Sequence, residues 1–384
     1  MSTSLHTEVL HNAARTIYDK NILELFISSV SELNNVDSDG NTAINLAAKY
    51  GNFTLFKSLV EKDVDITTTN SKGEDIRMHA LYGNNTDIMQ YIHTEIKCFE
   101  RQHIIKSVID DNINATKFFV DNGFYFSELV YYACFHNSIR CLRMFKNDTE
   151  ISKLCNINGD TPAHIAASKN NYKCLYILKN AGVDFDQISI MGLKAIDIAI
   201  MNEFYDSIRV LAKYSNPTTK GMIASLNCVN NDILSTILRT CTYDLDTCTD
   251  SKTLLELAFT FGNLKCFTAL LEHGTNPNKD IGDGNTILSK CVQSKRMGYV
   301  EVLYENGADL NIANSKGETP AYIAAENNFV ECIDFLKFNG AVMDVCADNG
   351  LTPLMIAEKN NNTEIIDIIN RTDLKSEDLH KKLF

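Results

Sequence analysis

Asp37/Asp39, Asp63/Asp65, Asp184/Asp186 and Asp244/Asp246 each set two carboxylates on either side of a single residue. Two carboxylates one residue apart can grip a divalent cation. All four pairs fall in stretches that read as connecting loops, where an Asp bonds the backbone amide two residues on. That local use is preferred. Asp37-Ser38-Asp39-Gly40-Asn41 also opens like a calcium loop, but its twelfth position is Ala48, where a bidentate Glu is required. Cys98 with His103, and Cys134 with His136, suggest a thiol nucleophile and its base. No third group orients either pair, and both lie in helical core patterns. The twelve cysteines include no Cys-x-x-Cys, so the usual zinc spacing is missing. Neither a Gly-rich phosphate loop nor Gly-x-Ser-x-Gly occurs. The chain is expected to have no catalytic residue, no metal ligand and no cofactor.

The elements that would position any site are written several times over. Thr161-Pro162-Ala163-His164-Ile165-Ala166-Ala167 reads like Thr319-Pro320-Ala321-Tyr322-Ile323-Ala324-Ala325. Thr352-Pro353-Leu354-Met355-Ile356-Ala357 is a third copy and Thr42-Ala43-Ile44-Asn45-Leu46-Ala47-Ala48 a looser fourth. The spacings Gly40 to Gly73, Gly159 to Gly192, Gly284 to Gly317 and Gly317 to Gly350 are all 33. A fixed period of this size means a stacked array. Thr161 can cap a first helix, with Pro162 in its first turn. Cys174, Leu175 and Leu178 form the apolar stripe of a second helix, which Gly182 ends. No such unit buries its apolar face alone, so its stability comes from its neighbours.

These stretches resemble the ankyrin repeat, whose pattern is Gly-x-Thr-Pro-Leu-His-x-Ala-Ala followed by an apolar helix ending in Gly-Ala-Asp. Gly317 to Asn327 match its first half, and Val300 to Asp309 its second. The resemblance covers residues 5 to 370. It implies an all-α fold, an ankyrin-repeat solenoid of stacked helix-turn-helix units with finger loops, about eleven units long. The expected organisation is a capping unit at 1–36 and regular repeats at 37–92. Irregular repeats with shortened fingers follow at 93–155, then regular repeats at 156–213 and an irregular repeat at 214–249. Regular repeats with a C-terminal cap occupy 250–370, and a polar tail 371–384. Near residue 124, and again near 214–222, the connecting finger loses about seven residues by this register.

The net charge of −13 argues against a nucleic-acid partner, which needs a clustered basic face. No apolar run is long enough to span a membrane, and no signal peptide opens the chain. Cys141, Cys174, Cys266 and Cys332 share one register at a core position, so they read as buried free thiols. Free thiols fit a reducing compartment, and the expected location is the cytoplasm, including that of a host cell. Asn makes up about one residue in ten, which fits an AT-rich genome.

In the resembled family a concave face built from fingers and first helices meets a partner. At the C-terminal fingers these positions are polar: Ser315, Lys316, Asp348 and Asn349. Around Gly192 they are Ile190, Met191 and Leu193, with Met201 at the end of the following helix. Phe124, Tyr125 and Phe135 occupy them in the irregular stretch, and Tyr50 and Tyr82 nearer the N-terminus. Exposed aromatic and Met clusters are typical of interface cores. These nine residues are expected to bind another protein, with Ile190, Met191 and Met201 together as an anchor. The fold-back alternative is that the shortened fingers bury them. The expected function is a non-catalytic interaction scaffold, monomeric, with no small-molecule substrate and no membrane insertion. Two other readings remain: a secreted effector or adaptor coupling a captured protein to host machinery, and an enzyme with its site in residues 93–150.

Overall fold

A computed structural model describes residues 2–16, 19–96, 99–146, 150–246 and 252–371. The tail from 372 onward, and Cys98 of the first thiol pair, lie outside them. Among the described residues are 24 α-helices and no strand, only an isolated bridge between Val36 and Thr42. The helices alternate in pairs, twelve against the eleven or so expected. The chain divides into two compact units, 1–195 and 196–384.

In the first unit two rows of helices stack. Ala43–Lys49, Ile76–Gly83, Arg101–Ile109, Glu128–His136 and Pro162–Ser168 pack each on the next as one row. Phe53–Val60, Thr86–Tyr91, Ile113–Asp121, Ile139–Phe145 and Tyr172–Asn180 form the other. The helix Ala195–Met201 spans the boundary, and in the second unit the helices run from Tyr205–Leu211, through the pair Thr219–Leu226 and Asp232–Thr240, to Pro353–Lys359 with Thr363–Asn370.

Several first helices start where Thr caps them. The hydroxyls of Thr42, Thr253, Thr319 and Thr352 each accept the backbone N–H three residues on. Several second helices start at Asn, and there one Asn can do two jobs. Asn52 Oδ1 accepts the Leu55 N–H at 3.1 Å, while its Nδ2 reaches back to the Ala13 carbonyl at 3.2 Å. Asn112 caps Ala115 and donates to the Leu81 carbonyl at 2.7 Å. Asn263 caps Cys266 and donates to the Leu226 carbonyl at 3.1 Å. A side-chain amide carries both donor and acceptor, so one residue satisfies a helix end and ties it to the previous repeat. The abundance of Asn therefore has a structural use, beyond the compositional bias read from the sequence.

The cysteine register is a core register. Cys141, Cys174, Cys266 and Cys332 are all buried and free. Burial pushes the thiols of Cys266 and Cys332 up, to about 11 and about 12.

One core position breaks its pattern. His79 stands where other first helices place Leu46, Ile104, Ile165, Ile323 and Ile356. It is fully buried, and neither ring nitrogen has a hydrogen-bond partner among the described residues. Burial pushes its pKa below the ordinary 6.5, and Lys49 adds to that, against the carboxylates of Glu74, Asp75 and Asp37. The unfolded chain therefore takes up a proton near pH 6.5 that the folded chain resists. Stability contributed by neutral His79 is complete above that pH and falls as the pH drops below it. His79→Leu is expected to stabilise the fold by about 1–3 kcal/mol, the cost of an unpaired buried polar group. It should also flatten the acid limb. Urea midpoints measured from neutral to mildly acid pH check both; an unchanged acid limb refutes the assignment.

Candidate interaction surface

The fingers are tied to one another by a backbone bond that recurs. Ser71 N–H donates to the Asp39 carbonyl at 2.9 Å, and Ile190 N–H to Asn158 at 2.9 Å. In the second unit Ser315 N–H donates to Asp283 at 2.8 Å, and Asp348 N–H to Lys316 at 2.9 Å. The repeat glycine permits this approach. Gly40 and Gly284 have φ of 82° and 71°, and a Cβ there would lie 2.9 and 2.8 Å from the donating nitrogens of Ser71 and Ser315.

His164 shows how a first helix holds the finger above it. Its Nε2 lies 3.1 Å from the Leu193 carbonyl, so that nitrogen carries the proton. Its Nδ1 then accepts the Thr161 N–H at 3.0 Å. Leading into the irregular stretch charged pairs take over: Arg77 bridges Asp75 at 2.6 Å and Glu100 at 3.1 Å, and Arg101 meets Glu128 at 3.1 Å. Burial pushes the Asp75 carboxyl up, but bonds from His103, the Met78 amide and Arg77 outweigh it and hold it well below the usual carboxylate range.

The acidic pairs have local partners. Asp39 N–H donates to Asp37 at 3.0 Å, Asp186 N–H to Asp184 at 2.8 Å and Asp246 N–H to Asp244 at 3.1 Å. Asp65 takes the amide and hydroxyl of Thr67. Among the described residues no cluster of acidic, His and Cys side chains has the arrangement to hold a metal. Cys134 is buried, and its thiol is pushed up by burial and by the neighbouring Cys174, whereas His136 is exposed. A buried thiol held protonated is not a nucleophile.

The nine expected contact residues divide by accessibility. Ile190 and Met191, at a fingertip of the first unit, are 74% and 70% exposed. Met201, in the second unit, is 46% exposed. Tyr50 and Tyr82 are exposed, with the Tyr82 hydroxyl 2.9 Å from Glu74. Phe135 is exposed beneath the Lys169 ammonium, 4.3 Å from its ring centre. Leu193 is half-buried. Phe124 and Tyr125 are also half-buried, because their rings fold back onto His93, Phe119 and Phe145. The fold-back alternative thus describes that pair.

Beside Phe135 lies an open groove of about 590 Å³. Tyr131, Tyr132 and Phe135 of the helix Glu128–His136 line it, together with Leu154, Ile157 and Ile165. Cys155 and His136 also line it, but no hydrogen bond joins them among the described residues. Ile157, which the sequence reading passed over, is 93% exposed and stands one period before Ile190; the 33-residue register is the signal that finds it. The Tyr131–Tyr132 floor had no such mark, since its exposure depends on a missing loop. Residues 99–146 otherwise form helix pairs of the same kind as the rest, not a separate fold.

A family model describing ankyrin repeats (three copies) matches residues 10–102, 129–220, 222–314 and 300–378. The chain belongs to the ankyrin repeat family, whose repeats generally mediate protein–protein interaction. It is similar to the potassium channel AKT2/3 of Arabidopsis thaliana, 27% identical over 154 residues. That match covers 39% of this chain and 15% of the channel's length. No helix among the described residues is long and apolar enough to cross a membrane.

Proposed function

We propose that this chain is a non-catalytic scaffold that holds another protein against its fingers and first helices. In the first unit Ile190, Met191 and Phe135 act as apolar anchors, Tyr50 and Tyr82 extend the surface, and Leu193, Phe124 and Tyr125 support it; Met201 is an apolar anchor of the second unit. The observation that carries this reading is the fingertip pair Ile190 and Met191, apolar and open to solvent. Equivalent tips in the second unit carry Ser315, Lys316, Asp348 and Asn349. Large apolar side chains at accessible positions of a binding scaffold mark an interface core. The acidic net charge of −13 disfavours nucleic acid. Free, buried cysteines suit a reducing cytoplasm.

Burying an anchor of this size contributes about 1.5–3 kcal/mol. Met191→Glu is therefore expected to weaken capture of the native partner about tenfold to a hundredfold while leaving the thermal midpoint unchanged. Quantitative affinity capture from the native cell, wild type against variant, checks it. A folded Met191→Glu protein that retains its whole partner set ends the anchor assignment.

A further inference from the structure

The finger row follows a fixed rule. In four places the N–H two residues before a repeat glycine donates to the carbonyl one residue before the preceding repeat glycine. Ile157 is two residues before Gly159 and so carries the matching donor. The segment that should supply the carbonyl is 122–127, and it makes no finger. It passes straight from the helix Ile113–Asp121 into Glu128–His136, whereas residues 181–194 separate Tyr172–Asn180 from the next helix. The Ile157 N–H has no hydrogen-bond partner among the described residues.

The same missing finger leaves the apolar groove beside Ile157 uncovered. Glu128 is the one carboxylate lining it, and the Lys169 ammonium stands over the Phe135 ring at its edge. The backbone N–H of Glu128 and the Arg101 guanidinium hold that carboxyl below its usual range. A carboxylate has acceptor sites for more than one cation.

We propose that the gap receives an extended segment of a partner protein, which stands in for the absent finger. A carbonyl of that segment accepts the Ile157 N–H and continues the ladder that Asn158 and Ile190 already form. A large apolar side chain of the segment fills the groove over Tyr131, Tyr132 and Phe135. A Lys or Arg beside it meets Glu128. Main-chain bonds supply affinity in such docking, and the pocket supplies selectivity. This rests on the binding role proposed above and names the kind of segment bound.

The test selects peptides from a random phage library on the full chain and measures synthetic copies by titration. Enriched peptides are expected to pair a large apolar residue with a neighbouring Lys or Arg. Ile157→Pro and Ile157→Val then separate the amide from the side chain. Gly159 N–H closes a turn on the Asn156 carbonyl at 2.9 Å, which puts residue 157 where Pro fits a turn. Loss of one hydrogen bond should weaken binding to the Pro variant about threefold to tenfold, with the Val variant near wild type. Glu128→Lys, which does not touch the finger, should weaken the same peptides at least as much. Equal affinities for the Pro and Val variants, enrichment without the apolar–basic pattern, or no enrichment overturns the proposal. So does self-association of the chain that Ile157→Pro abolishes, which would make a second copy the occupant. A Met191→Glu defect alongside an unaffected Ile157→Pro protein would remove the gap site and leave the scaffold reading standing.

Discussion

Leu178→Ala is expected to destabilise the protein by about 2–5 kcal/mol, the range for large-to-small changes in a packed core. Leu178 is fully buried on the helix Tyr172–Asn180, which packs against Pro162–Ser168 of its own repeat and Ile139–Phe145 of the one before. The truncation leaves a void between two rows of helices that cannot close without moving a repeat. Coupling in a stacked array runs between nearest neighbours. Hydrogen exchange should therefore accelerate first in those two flanking helices and in Tyr172–Asn180 itself. A loss below about 0.5 kcal/mol, the scale of ordinary surface changes, would show that the site is not core.

Gly83→Ala is expected to destabilise as well, against the local rule. Gly83 is the last residue of the helix Ile76–Gly83. Inside a helix, Ala for Gly is worth roughly 0.5–1 kcal/mol in favour of folding. Here the added Cβ would lie 1.9 Å from the Ala48 carbonyl oxygen and 3.0 Å from the Gly51 nitrogen. Both atoms are backbone of the neighbouring repeat, so no rotamer change relieves the clash. The Asn85 amide bond to the Gly51 carbonyl, at 3.0 Å, would be disturbed too. Overpacking of this kind costs about 1–3 kcal/mol and more when the backbone must move. Denaturant unfolding of the single variant checks the sign; a stabilised Gly83→Ala protein would mean that the two helices do not approach this closely.

These variants mark where the sequence is readable. The 33-residue glycine register, the Thr caps and the Ala-Ala pairs are short-range signals, and each implies its element without knowledge of the rest. The apolar second-helix positions are of the same sort, which is why Cys174 and Leu178 can be placed in the core from spacing alone. Ile190 and Met191 stand out for the same reason, as a pair of apolar residues beside a repeat glycine where Ser315, Lys316, Asp348 and Asn349 are polar.

Phe124 and Tyr125 share that signal, yet their rings are drawn inward by His93, Phe119 and Phe145. No local pattern distinguishes them from Ile190. Whether a loop residue faces solvent depends on what the next loop covers.

By itself, then, the sequence determined the repeat, the helix pairs, the buried faces and the family, because the information for each lies within one period of chain. Which polar atoms find partners roughly one repeat away was settled by the stacking of the repeats. It set the double duty of Asn52, Asn112 and Asn263, the stranded ring of His79 and the contact that forbids a side chain at Gly83. It also exposed the Ile157 amide beside an apolar groove. Each of these depends on the distance between two segments that stacking, and not sequence proximity, brings together.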